Sequence, residues 1–251
     1  MSTQNPQHGR LEYGLTLTIE RYTEEHAVID ELLDLDGKDI LELGCGDGQI
    51  TRDIASAGSD RRVLALEVDE VQHALNLTAG KPDNVRFALG VAEDIPADDC
   101  SQDVVFLFKS LHHVPTESMD RALSEIARVL RPGGFACISE PLYRGGFNEI
   151  LRLFHDEQHV RRAAFEAIER AVEGDEFELV SQTFFRAPLH YASWEEFEQL
   201  VVGASHSQHD LSDELLAQVR STFARLADDS GAHFKEPFRI DLLRRRKAPT
   251  S

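Results

Sequence analysis

Four clusters of polar residues in this 251-residue chain have the types and spacing to do chemistry. The first is D-I-L-E-L-G-C-G-D-G-Q, residues 39–49, an apolar run that breaks into Gly44, Gly46 and Gly48 with Glu42 and Asp47 beside them. Glycines so placed let a backbone approach a ligand closely. Asp47 would oppose a phosphate at the following helix N-terminus, where free amides should receive it. The second is Glu67, which closes R-V-L-A-L-E and can accept from both hydroxyls of a ribose, while Asp69 reads as the cap of the next helix. The third joins His112 and His113 with Glu140, groups able to take a proton from an acceptor or to orient it. The fourth is H-D-E-Q-H, residues 155–159, where His155 and His159 have the i, i+4 spacing of a metal pair. No third ligand is evident beside it, Arg161 and Arg162 follow at once, and H-S-Q-H at 206–209 is weaker, so the expectation is a site without metal.

The elements that must hold these groups alternate. Strands are expected at Asp39–Leu43, Arg62–Glu67, Val85–Leu89, Asp103–Phe108 and Phe135–Glu140, with helices at Gln49–Ala57, Glu70–Thr78 and Met119–Leu130 between them. Continuous apolar strands such as V-V-F-L-F need cover on both faces, so the series predicts a doubly wound parallel α/β sheet. Beyond Glu140 the pattern predicts one long helix over 145–173, a strand at Phe177–Ala187, helices near 194–202 and 211–227, and a last strand at Phe238–Leu243. Ten of the fourteen phenylalanines fall there, which suggests a cap over the sheet, its rings forming the cap's own core or lining an apolar pocket.

Composition excludes several classes of partner. With 45 acids against 26 Lys and Arg, a formal charge of -19, the surface repels polyanions, so neither nucleic acid nor an anionic membrane is expected. Arg244 to Lys247 reads as a solvated chain end, and the polar first ten residues as a flexible segment without a leader. Three scattered cysteines form no zinc or disulfide pattern and suit a cytoplasmic setting.

The loop fits neither of the two phosphate-binding patterns. No Gly-Lys-Ser/Thr follows, and Gln49 breaks the G-x-G-x-x-G spacing. A ligand with an ammonium and a sulfonium instead welcomes nearby carboxylates, and S-adenosylmethionine is such a ligand, Glu42 facing its ammonium directly or through water. At this point the chain resembles the class I S-adenosylmethionine-dependent methyltransferases, particularly those with a methyltransferase type 11 domain. The resemblance covers about residues 38 to 141: I-L-E-L-G-C-G-D-G, L-A-L-E-V-D, F-A-L-G-V-A-E-D-I-P, F-K-S-L-H-H-V and E-I-A-R-V-L-R-P-G-G-F-A-C-I-S-E-P match motifs in the family's order.

The resemblance implies a Rossmann-like, seven-stranded sheet of order 3-2-1-4-5-7-6 with a helical cap inserted after strand five. It divides the single domain into an N-terminal lid (1–35), a cofactor-binding core (36–141), the cap with strand six (142–235) and a last strand and tail (236–251). It implies that Gly44, Gly46 and Glu67 contact S-adenosylmethionine, that Val68 flanks the adenine and that Ala92 and Glu93 lie along its edge. Many relatives have Asp where this chain has Val91, and Lys109 stands where relatives touch the cofactor through backbone atoms. Tyr13, Tyr22 and His26 fall in a segment that often folds over the cofactor. The expected function is in-line methyl transfer to an O or N atom of a small molecule, leaving S-adenosylhomocysteine. The alternatives are protein methylation and a non-catalytic cofactor-binding protein that engages a protein partner.

Overall fold

The computed structural model describes residues 11–203 and 211–247; the first ten residues, His206 and His209 lie outside them. The first half alternates as its pattern predicts: α1 (Glu25–Leu32), β1 (Asp39–Leu43), α2 (Gln49–Ser56), β2 (Arg62–Glu67), α3 (Glu70–Thr78), β3 (Val85–Leu89), β4 (Gln102–Phe108), α4 (Met119–Val129) and β5 (Leu130–Pro141). Then come α5 (Gly146–Leu151), α6 (Gln158–Glu173), β6 (Phe177–Tyr191), α7 (Trp194–Phe197, running on as a π turn to Val202), α8 (Asp213–Leu226), a two-residue β7 (Ala227–Asp228) and β8 (Gly231–Arg245).

The sheet order is β3-β2-β1-β4-β5-β8-β6, with β7 a spur on β8, so its seven long strands follow the expected 3-2-1-4-5-7-6. β1 pairs in parallel with β2 and β4, whereas β8 is antiparallel to both β5 and β6. Alternate strand residues feed two cores, as a sheet covered on both faces requires. Leu41, Leu43, Val105 and Leu107 pack with residues of α4 and α6 on one side, and Ile40, Val104 and Phe106 with residues of α1 and α2 on the other. Helix α4 shows why it docks: Met119, Ala122, Leu123, Ile126 and Val129 form one buried stripe at helical spacing. Asp69 caps α3 by accepting from the Val71 and Gln72 amides.

The second half departs from expectation in two ways. The long helix over 145–173 is broken between Leu151 and Gln158, where the Asp156 carboxylate accepts from the Gln158 amide in a local turn that competes with helix. The last strand starts at Gly231 and β6 runs to Tyr191, because their outer ends pair with each other, Leu189 with Phe234 and Tyr191 with Ala232. The helical cap that follows strand five is divided by β6. Helix α6 joins the sheet layer through Ala164, Phe165 and Ile168, while α5, α7 and α8 pack on the β6–β8 ribbon around Ile150, Tyr191, Trp194, Phe197, Phe223 and Phe234. The ring contacts among Phe147, Tyr191, Phe197 and Phe234 make that aromatic cluster a packed core.

The basic end of β8 is tied to the amino side of the sheet: Arg244 pairs with Glu178, Arg245 donates to the Leu130 carbonyl, and Arg246 donates to the Phe177 carbonyl. No helix among the described residues is long and apolar enough to cross a membrane.

Candidate functional site

The glycine loop leaves β1 at the carboxyl edge of the sheet, folded by three residues at positive φ: Gly44 (70°), Gly46 (54°) and Gly48 (72°). Gly44 and Cys45 donate to the Leu66 carbonyl of β2, and a Cβ at Gly44 would lie 2.8 Å from the Ser110 Cβ. At Gly48 a Cβ would meet the Phe87 ring at 2.7 Å, so this glycine lets α2 settle on β3. Gly46 differs: a Cβ there meets nothing among the described residues within 4 Å, and they leave the loop open on that side.

The two acids of the loop region do different things. Glu42 is buried under the loop, where its carboxylate accepts from the Thr51 hydroxyl at 2.5 Å, and burial pushes its pKa up to about 7. Its side chain does not reach the open face, which leaves only an indirect route to a ligand ammonium. Glu67 stands at the lip of the loop. One of its oxygens accepts from the Gly46 amide at 2.7 Å and the other from the Val68 and Asp69 amides at 2.8 and 3.0 Å. Of about four acceptor positions on this carboxylate three are used and one remains. Val68 and Leu89 expose apolar side chains at the ends of β2 and β3, leaving an apolar surface there. Ala92 and Glu93 form the turn closed by the Val91–Asp94 bridge, beside that surface in the chain. Lys109, itself left-handed at φ 56°, turns away: its ammonium donates to Glu25 at 2.6 Å and lies 5.6 Å from the Phe238 ring centroid, so α1 is pinned to the end of β4.

A second group of polar residues gathers beyond β4 and β5. His112 Nδ1 makes a very short contact with Glu140, whose other oxygen accepts from the Leu111 amide at 3.0 Å. Burial raises the Glu140 carboxyl, but His112, Arg239 and Arg161 outweigh it and hold it below the usual range. The exposed His113 ring lies 4.1 Å from that of His112. The helix break brings in residues the sequence did not connect with this edge: Glu157 receives Arg161 at 2.6 Å and His155 at 3.1 Å and lies 3.6 Å from His112 Nε2. His155 stands before α6 and His159 inside it, so they do not share a helical face as their spacing predicts. Tyr13 packs on Phe165, and its hydroxyl is buried without a hydrogen-bond partner among the described residues. Tyr22 is exposed and bridges to Arg186. Only a hint of Glu157's place was readable, in its i, i+4 relation to Arg161.

A doubly wound sheet with its glycine loop and acidic second-strand end at the carboxyl edge defines the class I methyltransferase architecture. A family profile for the methyltransferase domain matches residues 40–134. An uncharacterized methyltransferase of Mycobacterium bovis is 40% identical over 107 residues, 42% of this chain and 41% of the relative. An O-methyltransferase of Aspergillus nomiae is 32% identical over 150 residues, 57% of this chain and 64% of that one. A candidate methyltransferase structure from Bacillus halodurans superposes with a TM-score of 0.63 at 16% identity, covering 89% of this chain and 99% of that one. These matches support a class I S-adenosylmethionine-dependent methyltransferase domain over residues 40–134. The chain spans about two fifths of the length of the Mycobacterium relatives it matches. The residues present fit the cofactor: the open face at Gly46, the remaining acceptor position of Glu67 and the exposed Val68 and Leu89 offer polar and apolar contacts in the order its parts require.

Proposed function

We propose that the chain transfers a methyl group to an oxygen or nitrogen of a small-molecule acceptor held beyond β4 and β5. The observation that carries this reading is the placing of a buried polar pair, His112 and Glu140, on the same sheet edge as the glycine loop, linked to it through Ser110, whose hydroxyl donates to the Leu43 carbonyl. S-adenosylmethionine supplies, when bound, a methyl group on a sulfonium, an electrophile that needs alignment more than activation. Glu67 and the amides around Gly46 hold the ribose and amino-acid ends, and Val68, Ala92 and Glu93 border the adenine. Glu140 is a positioning residue that fixes the His112 ring. The exposed His113, with the buried His112 beside it, is the group that receives the acceptor's proton where it carries one. Tyr13 brings to the same side a hydroxyl that has no partner among the described residues, a donor for an acceptor oxygen.

The A. nomiae relative's name specifies O-methylation, which favours oxygen as the receiving atom. The test is incubation of the full chain with methyl-labelled S-adenosylmethionine and cell extract, followed by separation of small molecules from macromolecules. Label in a small-molecule peak is expected. Label confined to proteins would replace this reading with protein methylation, and no label at all from protein that binds the cofactor would replace it with a non-catalytic role.

A further inference from the structure

The sequence points to a metal-free site because its histidine pair, His155 and His159, lacks a third ligand. The fold assembles a different set. One ligand atom each from His112, His113 and Glu157 lie within 4.8 Å of one another, two residues from the end of β4 and one from the turn before α6. His112 Nε2 and Glu157 Oε1 are 3.6 Å apart, longer than a hydrogen bond and near the roughly 3.3 Å between ligand atoms in a tetrahedral sphere with 2.0–2.1 Å bonds.

Two features around the set support a cation. First, His112 meets Glu140 through Nδ1, so its ring is held by a carboxylate on one nitrogen while the other points at Glu157; carboxylate-held imidazoles are the usual outer support of metal ligands. Second, Glu157 is held by Arg161 through Oε2, which fixes the carboxylate and leaves Oε1 toward the imidazoles.

We propose that His112, His113 and Glu157 form a binding site for one divalent transition-metal ion, Zn²⁺ by preference. Two imidazoles and one carboxylate oxygen suit zinc, whereas Mg²⁺ and Ca²⁺ take oxygen ligands. Three protein ligands would leave one position of a four-coordinate ion open for an acceptor atom or water. His155, on Glu157 Oε1 at 3.1 Å, yields that oxygen to the ion. Only the use of the open position rests on the methyl-transfer reading, where the histidines then act on an acceptor oxygen or nitrogen through the ion instead of as bases; metal binding itself does not.

The test is therefore a binding measurement. The full chain, stripped with chelator and dialysed, is titrated with ZnCl₂ by calorimetry and with CoCl₂ by visible absorption. One equivalent is expected, with the intense d–d bands of a four- or five-coordinate cobalt bearing nitrogen ligands. His113→Ala, at an exposed position that leaves the core intact, should weaken binding at least tenfold, and Glu157→Gln should do the same; unchanged far-ultraviolet circular dichroism shows that each variant is folded. His190→Ala, in the distant β6–β8 ribbon, should bind as the parent does. No stoichiometric binding, or binding undiminished in His113→Ala, overturns the proposal whether or not the protein proves to be a methyltransferase.

Discussion

Glu42 and Glu67 show how two identical side chains in one motif acquire different work from their surroundings. Glu67 is paid in amide hydrogens, three of them, and stays at the lip of the loop. Glu42 is buried beside one hydroxyl partner, and its proton is held more tightly in the folded chain than in the unfolded one. The sign follows from the raised pKa: this group's contribution to stability is complete below about pH 4.5 and is lost as pH rises through about 7. Glu42→Gln keeps an oxygen for Thr51 and removes the titration, so the variant should gain on the parent by about 2–3 kcal/mol between pH 5 and pH 8. Urea unfolding of both proteins across that range measures it, and parallel stability curves would refute the assignment. Sequence spacing identified both acids, but the difference between them lies in burial and hydrogen bonding, which spacing does not encode.

Elements up to β5 were legible because each satisfies one period and one boundary signal: the apolar run of β4, the stripe of α4, Asp69 before α3. The break between α5 and α6 was not. Ile150, Phe154, Phe165 and Ile168 keep an apolar pattern across it, yet the local Asp156 turn prevails and swings Glu157 toward His112. That one element boundary decides the polar cluster's composition. The cap also has physical content as an element: its aromatic core shares no buried residue with those beneath the glycine loop. Phe197→Ala, at a position with no exposed surface, should therefore cost about 3–5 kcal/mol in the cap while leaving S-adenosylhomocysteine affinity unchanged. Thermal unfolding and calorimetric titration of the same sample check both halves; an affinity that falls with stability would show that cap and loop are one unit.

At the scale of the whole molecule, the sheet separates two chemistries. Its carboxyl edge carries the glycine loop, Glu67 and the buried His112–Glu140 pair, while its amino edge carries the arginines at the end of β8. The doubly wound topology that places ligands at the carboxyl edge was readable from the order of strands and helices alone. What could not be read was the ribbon made by the outer halves of β6 and β8, since pairing 40 residues apart leaves little local trace. The measurement that tests the central claim most directly is hydrogen–deuterium exchange of the full chain with and without S-adenosylhomocysteine. Slowed exchange confined to the glycine loop, the amides at Val68 and Asp69 and the turn at Ala92 and Glu93 is the predicted result. Protection at the basic end of β8 instead, or none anywhere at saturating ligand, would contradict the account.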